Sequence, residues 1–189
     1  MKTIKYLFIA ILSSTFFMAC SDDDTPVLVN EEEVITTVQL TLIPVGSGDT
    51  VIFESKDLDA DGPNAPVITT MGSINASSDY IGTVKFLNEL EDPAEDITEE
   101  VADEADEHQV FYSFSGNSNS SVGYSDADED GNPIGLSINF NSGTAATGNT
   151  VTITLRHEPT KDASGVSDGD ITNAGGETDV EATFTYDVN

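Results

Sequence analysis

Positive charge is scarce in this 189-residue chain, which carries six Lys and Arg against 35 Asp and Glu. So acidic a surface repels phosphate backbones and anionic headgroups, which disfavours nucleic-acid binding and electrostatic docking on a membrane. There is no Trp and a single Cys, Cys20. One thiol cannot close an intrachain disulfide, and without a cysteine pair or a Trp an antibody-type domain is excluded. Only two histidines are present, His108 and His157. The apolar run from Tyr6 to Met18 has 13 residues, and as a helix it falls short of a hydrocarbon core about 30 Å thick. The chain has no phosphate loop, dinucleotide fingerprint or metalloprotease helix. Its carboxylates are so numerous that any glycosidase pairing drawn from them is chance.

What is present begins at the N-terminus. Lys2 and Lys5 precede the apolar run, and Ala19, Cys20 and then Ser21-Asp22-Asp23-Asp24 follow it. That is the order of a secretory signal: positive start, apolar middle, small residue, cleavage point. The stretch resembles the lipobox of bacterial lipoproteins, with Phe17 in place of the leucine most often found there. The acidic run after Cys20 resembles the export signal of surface-exposed lipoproteins in Bacteroidota. The expectation is a signal peptide over residues 1–19, lipid on Cys20, an acidic tether over residues 20–32 and a single domain over residues 33–189. Several acyl chains on one cysteine give stable anchoring. The expected site is the outer membrane, at the cell surface or otherwise on its periplasmic face. Cleavage leaves four basic against 35 acidic residues, a formal charge of −31, and 170 residues (189 less 19) are enough for one domain with a substantial core.

Past the tether the hydrophobic pattern has period two. Val34, Thr36, Val38, Leu40 and Leu42 alternate with polar and β-branched residues, Gly46-Ser47-Gly48-Asp49 supplies a turn, and Val51 and Phe53 open a second strand. Residues 57–66 read as a loop because Pro63 and Pro66 cannot donate to a ladder. Alternation resumes over residues 79–88, from His108, over Leu136-Ile138-Phe140, over Val151-Ile153-Leu155-His157, and over residues 180–188. Between Glu89 and Glu107 the chain is dominated by Asp and Glu, yet Ile97, Val101 and Ala105 recur every four residues. This predicts a short acidic helix, or else an irregular acidic loop. Seven or eight short strands separated by turn signals predict a mainly β fold, an antiparallel β-sandwich of immunoglobulin-like or related type.

Three patterns carry candidate chemistry. Asp57, Asp59 and Asp61 before Gly62, and Asp126, Asp128 and Asp130 before Gly131, place carboxylates at alternate positions as a calcium loop does. Neither has a glutamate at position twelve, so an EF-hand is excluded, leaving weak Ca²⁺ loops or solvated turns. Second, Glu107-His108 and His157-Glu158 pair each histidine with a glutamate. Both imidazoles lie on the apolar parity of their strands, at what would be the same end of a sandwich. Two imidazoles with carboxylates suit a transition-metal ion, provided they lie within about 10 Å of each other. Third, Gly165-Val166-Ser167-Asp168-Gly169 matches a nucleophile elbow, but no apolar strand precedes it and no histidine follows it. No catalytic residue emerges, and the chain reads as non-enzymatic.

The residues Asp61-Gly62-Pro63-Asn64-Ala65-Pro66, Glu107-His108-Gln109-Val110-Phe111-Tyr112 and Leu155-Arg156-His157-Glu158-Pro159, with the lipobox and its acidic run, resemble a group of Bacteroidota lipoproteins with no assigned activity. The resemblance implies an envelope protein that binds a ligand or plays a structural part, accessory to an outer-membrane uptake receptor. The readings left open are that binding or structural lipoprotein, a metal-ion binding protein, and a calcium-stabilised adhesive module.

Overall fold

The computed structural model describes residues 33–59 and 62–189. The signal peptide, Cys20 and the tether expected over residues 1–32 lie outside the described residues, as do Ala60 and Asp61. Ten strands and one α-helix follow in order: β1 (Thr37–Pro44), β2 (Val51–Lys56), β3 (Val67–Met71), β4 (Asp79–Asn88), β5 (Glu95–Asp96), α1 (Ile97–Asp103), β6 (His108–Ser115), β7 (Ser121–Tyr124), β8 (Ser137–Asn141), β9 (Ala146–His157) and β10 (Glu177–Val188). Every pairing between them is antiparallel. They form two sheets, one in the order β3-β2-β1-β4-β8-β7 with β5 beside β4, the other in the order β10-β9-β6. The fold is an antiparallel β-sandwich.

The period-two residues make its core. Val38, Leu40 and Leu42 from β1, Val51 and Phe53 from β2, and Tyr80, Val84 and Phe86 from β4 pack against Val110, Val151, Ile153, Leu155, Ala182 and Phe184 of the smaller sheet. Phe53 and Phe184 meet across the layers with ring centroids 5.5 Å apart. Alternation finds half-buried strands because successive side chains point to opposite faces. It fails for β3, exposed along its whole length at a sheet edge, and for β7, which has no fully buried residue. With the two-residue β5, this brings the described residues to ten strands where seven or eight are expected.

The acidic segment does form a helix. Asp96 caps it by accepting from the Thr98 amide at 3.2 Å, Glu99 and Glu100 lie in its first turn where the helix dipole favours negative charge, and Ile97 and Val101 are buried. The Thr98 hydroxyl bonds both the amide and the carbonyl of Phe86, fastening the helix to β4. Its end delivers the chain to His108 at the start of β6.

One core position needs a glycine. A Cβ on Gly82 would lie 2.6 Å from Ile138 Cγ1 and 3.0 Å from Leu42 Cδ2. Gly82→Ala is therefore expected to cost about 1–3 kcal/mol by overpacking. Denaturant melts superimposable on the parent's would refute this account of the β1-β4-β8 packing.

Candidate metal centre

Strand register creates the site. His108 and His157 are direct cross-strand partners of the β6–β9 pair, and both point inward on the apolar parity. Their rings stack with centroids 4.6 Å apart and planes at 26°, well inside the separation a shared ion requires. His108 is fully buried and His157 is 7% exposed.

Two carboxylates that the sequence pattern does not single out complete the cluster. Asp179 belongs to β10, where the register with β9 shifts between Thr178 and Val180. It is the extra residue of a β-bulge, and a bulge re-aims a side chain that alternation would send outward. Its carboxylate comes within 3.9 Å of His108 Nε2 and 3.9 Å of His157 Nδ1. Glu33, four residues before the first strand position of β1, brings Oε1 to 3.7 Å from His108 Nε2. Both side chains are largely buried, at 8% exposure for Glu33 and 4% for Asp179. A bulge and a residue outside the strands have no periodic signature, so neither is visible in sequence.

The glutamates expected from sequence lie on the outer side. Glu107 Oε2 is 3.7 Å from His157 Nε2 and its side chain is half exposed. Glu158 is exposed and gathers with Glu107 around His157. Gly176 runs so close to this corner that a Cβ there would lie 2.1 Å from the His157 carbonyl oxygen. Glu104 supplies its backbone carbonyl to His108 Nδ1 at 3.2 Å.

That last contact assigns the imidazole tautomer. A carbonyl only accepts, so Nδ1 carries the proton and Nε2 is left with its lone pair directed at Glu33 and Asp179. Burial, followed by the neighbouring His157, holds the His108 imidazole below its ordinary pKa, which keeps it neutral. Among the described residues, the buried atoms His108 Nε2 and Glu33 Oε2 have no hydrogen-bond partner. Burial, then Glu100, Asp179 and Glu104, push the Glu33 carboxyl up to about 7. The His108 Nε2 and Glu33 lone pairs are ones that a metal ion or a proton would satisfy.

The geometry suits a small divalent transition ion. Zinc bound to N and O ligands at 2.0–2.2 Å sets its donors about 3.3–3.6 Å apart, so the 3.9 Å from Asp179 to each histidine needs a contraction of only a few tenths of an ångström, whereas Glu33 groups with His108 and Glu104. Two carboxylates would balance the charge of a divalent ion, and two imidazoles disfavour Ca²⁺ and Mg²⁺, which take oxygen.

The aspartate loops do other work. Asp61 lies outside the described residues. Asp59 accepts from the backbone and side-chain amides of Asn64, and Asp57 accepts from the Asp59 amide at 3.3 Å, the bonding of a solvated turn. In the second loop Asp126 accepts from the amides of Gly135 and Ser137, both at 2.8 Å. Asp128 accepts from the amides of Asp130 and Asn132 and from Lys161 Nζ at 3.0 Å. Lys161 is itself buried and also donates to the carbonyls of Ala105 and Pro133. A lysine ammonium thus holds the loop. Asp126, Asp128 and Asp130 do not gather on one point; among the described residues, the three-ligand groups collect around the two histidines. Gly165 to Gly169 encloses a 3₁₀ turn at Val166–Asp168, with Ser167 exposed, unlike the strand-to-helix turn of a nucleophile elbow.

Comparison with family models, curated proteins and solved structures yields no match.

The Lys161–Asp128 pair sets two expectations. Lys161→Met leaves Asp128 buried and unpaired and should cost about 3–5 kcal/mol in chemical denaturation. Burial acts to raise the Asp128 carboxyl, but the Lys161 and backbone hydrogen bonds win and hold it below its ordinary value. A lowered carboxyl contributes stability that is present above the ordinary carboxylate range and lost as pH falls through the folded-state value. Asp128→Asn should therefore remove part of the acid-induced loss of stability seen in the parent.

Proposed function

We propose that this is a lipid-anchored envelope protein whose sandwich holds a divalent transition-metal ion, with His108, His157 and Asp179 as its ligands. The observation that carries the reading is the buried, unpartnered His108 Nε2, kept as an acceptor by its Nδ1 bond to Glu104 and turned toward two buried carboxylates. A metal-ligating histidine commonly donates its second ring nitrogen to a carbonyl or carboxylate. Glu104 plays that part for His108, and Glu107 lies 3.7 Å from His157 Nε2 on the matching side of the second ring. His108, His157 and Asp179 supply three gathered protein donors, with the Glu33 carboxylate 3.7 Å from His108 Nε2 beside them. The lipoprotein setting rests on the order of residues 1–24 and makes the acyl chains on Cys20 the membrane attachment of a domain too acidic to bind anionic lipid by charge.

Zinc added to chelator-treated protein should bind one ion per chain and, at a hundredfold excess over Kd, stabilise it by about 2.7 kcal/mol, read as a rise in Tm. Asp179→Asn should abolish most of that rise. An unchanged Tm together with no retained metal by elemental analysis would overturn the metal reading. For the anchor, Cys20→Ser should move the folded protein from the membrane to the soluble fraction. The proton is the other occupant this geometry admits: if Glu33→Gln stabilises the metal-free protein at neutral pH and zinc does nothing, the site serves as a proton-bearing carboxyl cluster.

A further inference from the structure

We infer that this end of the sandwich holds a second ion position, formed by Glu33, Glu104 and His108, which takes a harder divalent ion of the Mn²⁺ class and is emptied when zinc fills the first. The inference rests on the metal reading above, which supplies the competing position. One donor atom from each of Glu33, Glu104 and His108 lies within 4.8 Å of the other two. The group of His108, His157 and Asp179 includes neither glutamate, so the two positions are distinct and meet at His108. Two atoms of the second are suited to a cation. Among the described residues, His108 Nε2 and Glu33 Oε2 are buried without a hydrogen-bond partner, on side chains 0% and 8% exposed.

Three separate elements bring the second group together. Glu104 is the C-terminal cap of α1, and the backbone turn that lets its carbonyl accept from His108 Nδ1 at 3.2 Å also carries its carboxylate to the ring. Glu33 comes from ahead of β1, a strand of the opposite sheet, and sets Oε1 3.7 Å from His108 Nε2. Asp179 of the first group reaches the same nitrogen, with Oδ2 at 3.9 Å. Because Nδ1 carries the proton, His108 offers one lone pair, at Nε2. One lone pair binds one ion, so the two positions cannot use His108 together. Their donors also differ. The first has two imidazoles and one carboxylate, the second one imidazole and two carboxylates. Imidazole suits zinc and carboxylate suits Mn²⁺, while zinc binds a given site more tightly than Mn²⁺, so zinc in the first position prevails. Glu100, Glu104 and Asp179 all bear electrostatically on Glu33, a concentration of negative charge that draws a cation to this corner.

Electron paramagnetic resonance of Mn²⁺ added to the chelator-treated full chain tests this, since the sharp signal of the aqueous ion is lost on binding. Glu104→Gln, which keeps the backbone carbonyl, should weaken Mn²⁺ binding about tenfold or more, the scale on which even outer-shell partners act, and leave zinc affinity within about twofold. Asp179→Asn should do the reverse. One equivalent of zinc should release the bound Mn²⁺ from the parent. Mn²⁺ affinity of parental size in both Glu104→Gln and Glu33→Gln would mean diffuse binding to the acidic surface and overturns the second position. Mn²⁺ retained alongside bound zinc overturns the competition for His108. Zinc binding with no Mn²⁺ binding overturns the inference and leaves the metal reading intact, whereas failure to bind either ion overturns both.

Discussion

The pairing of β6 with β9 is the constraint on which the functional end of this molecule depends. Eight consecutive residue pairs, from His108↔His157 to Ser115↔Thr150, place Val110, Tyr112 and Phe114 opposite Leu155, Ile153 and Val151 and so lock the register. A slip by one residue would turn every one of these side chains to the other face. The apolar pairs along the strand therefore fix where the two histidines at its end must go. They arrive stacked and buried, in a position that polar groups occupy at a cost unless something satisfies them.

Scarcity of positive charge sharpens this. Lys56 pairs with Glu89, Lys85 with Asp96 and Lys161 with Asp128, and Arg156 bonds Gly175 O and Thr178. All four basic residues beyond the N-terminal run are thus used to pin loops and strand ends. Lys161 does so most deeply, drawing the 126–133 loop, the end of α1 and the segment after β9 onto one ammonium. Among the described residues, Glu33 and Asp179 are buried carboxylates that no lysine or arginine pairs with. At the histidine end the domain gathers two imidazoles and the carboxylate of Asp179. Buried carboxylates are thus treated in two ways, with an internal lysine at one loop and two imidazoles at the other end, where the proposed ion would supply the charge.

Period-two alternation made the sandwich, most of its strands and its core legible, because burial of one face requires alternate apolar residues. The spacing of Ile97, Val101 and Ala105 did the same for the short helix despite its carboxylates. The parity of His108 and His157 also placed both imidazoles inside and at one end. The exposed edge strand β3 left no such trace, since no face of it is buried. Aspartates at alternate positions suggested cation loops, and sequence spacing alone could not show that Asp126 accepts from backbone amides and Asp128 from amides and Lys161.

By itself, then, the sequence determined the layers, the alternating core and the approach of two histidines, all consequences of local periodicity. Which carboxylates meet those histidines was decided only in three dimensions. Glu107 and Glu158, their neighbours in sequence, ended on the rim. Asp179 was turned inward by a one-residue bulge, and Glu33 was brought across from the opposite sheet. Ligand geometry depends on how distant segments close on one another, and no period in the chain records that closure.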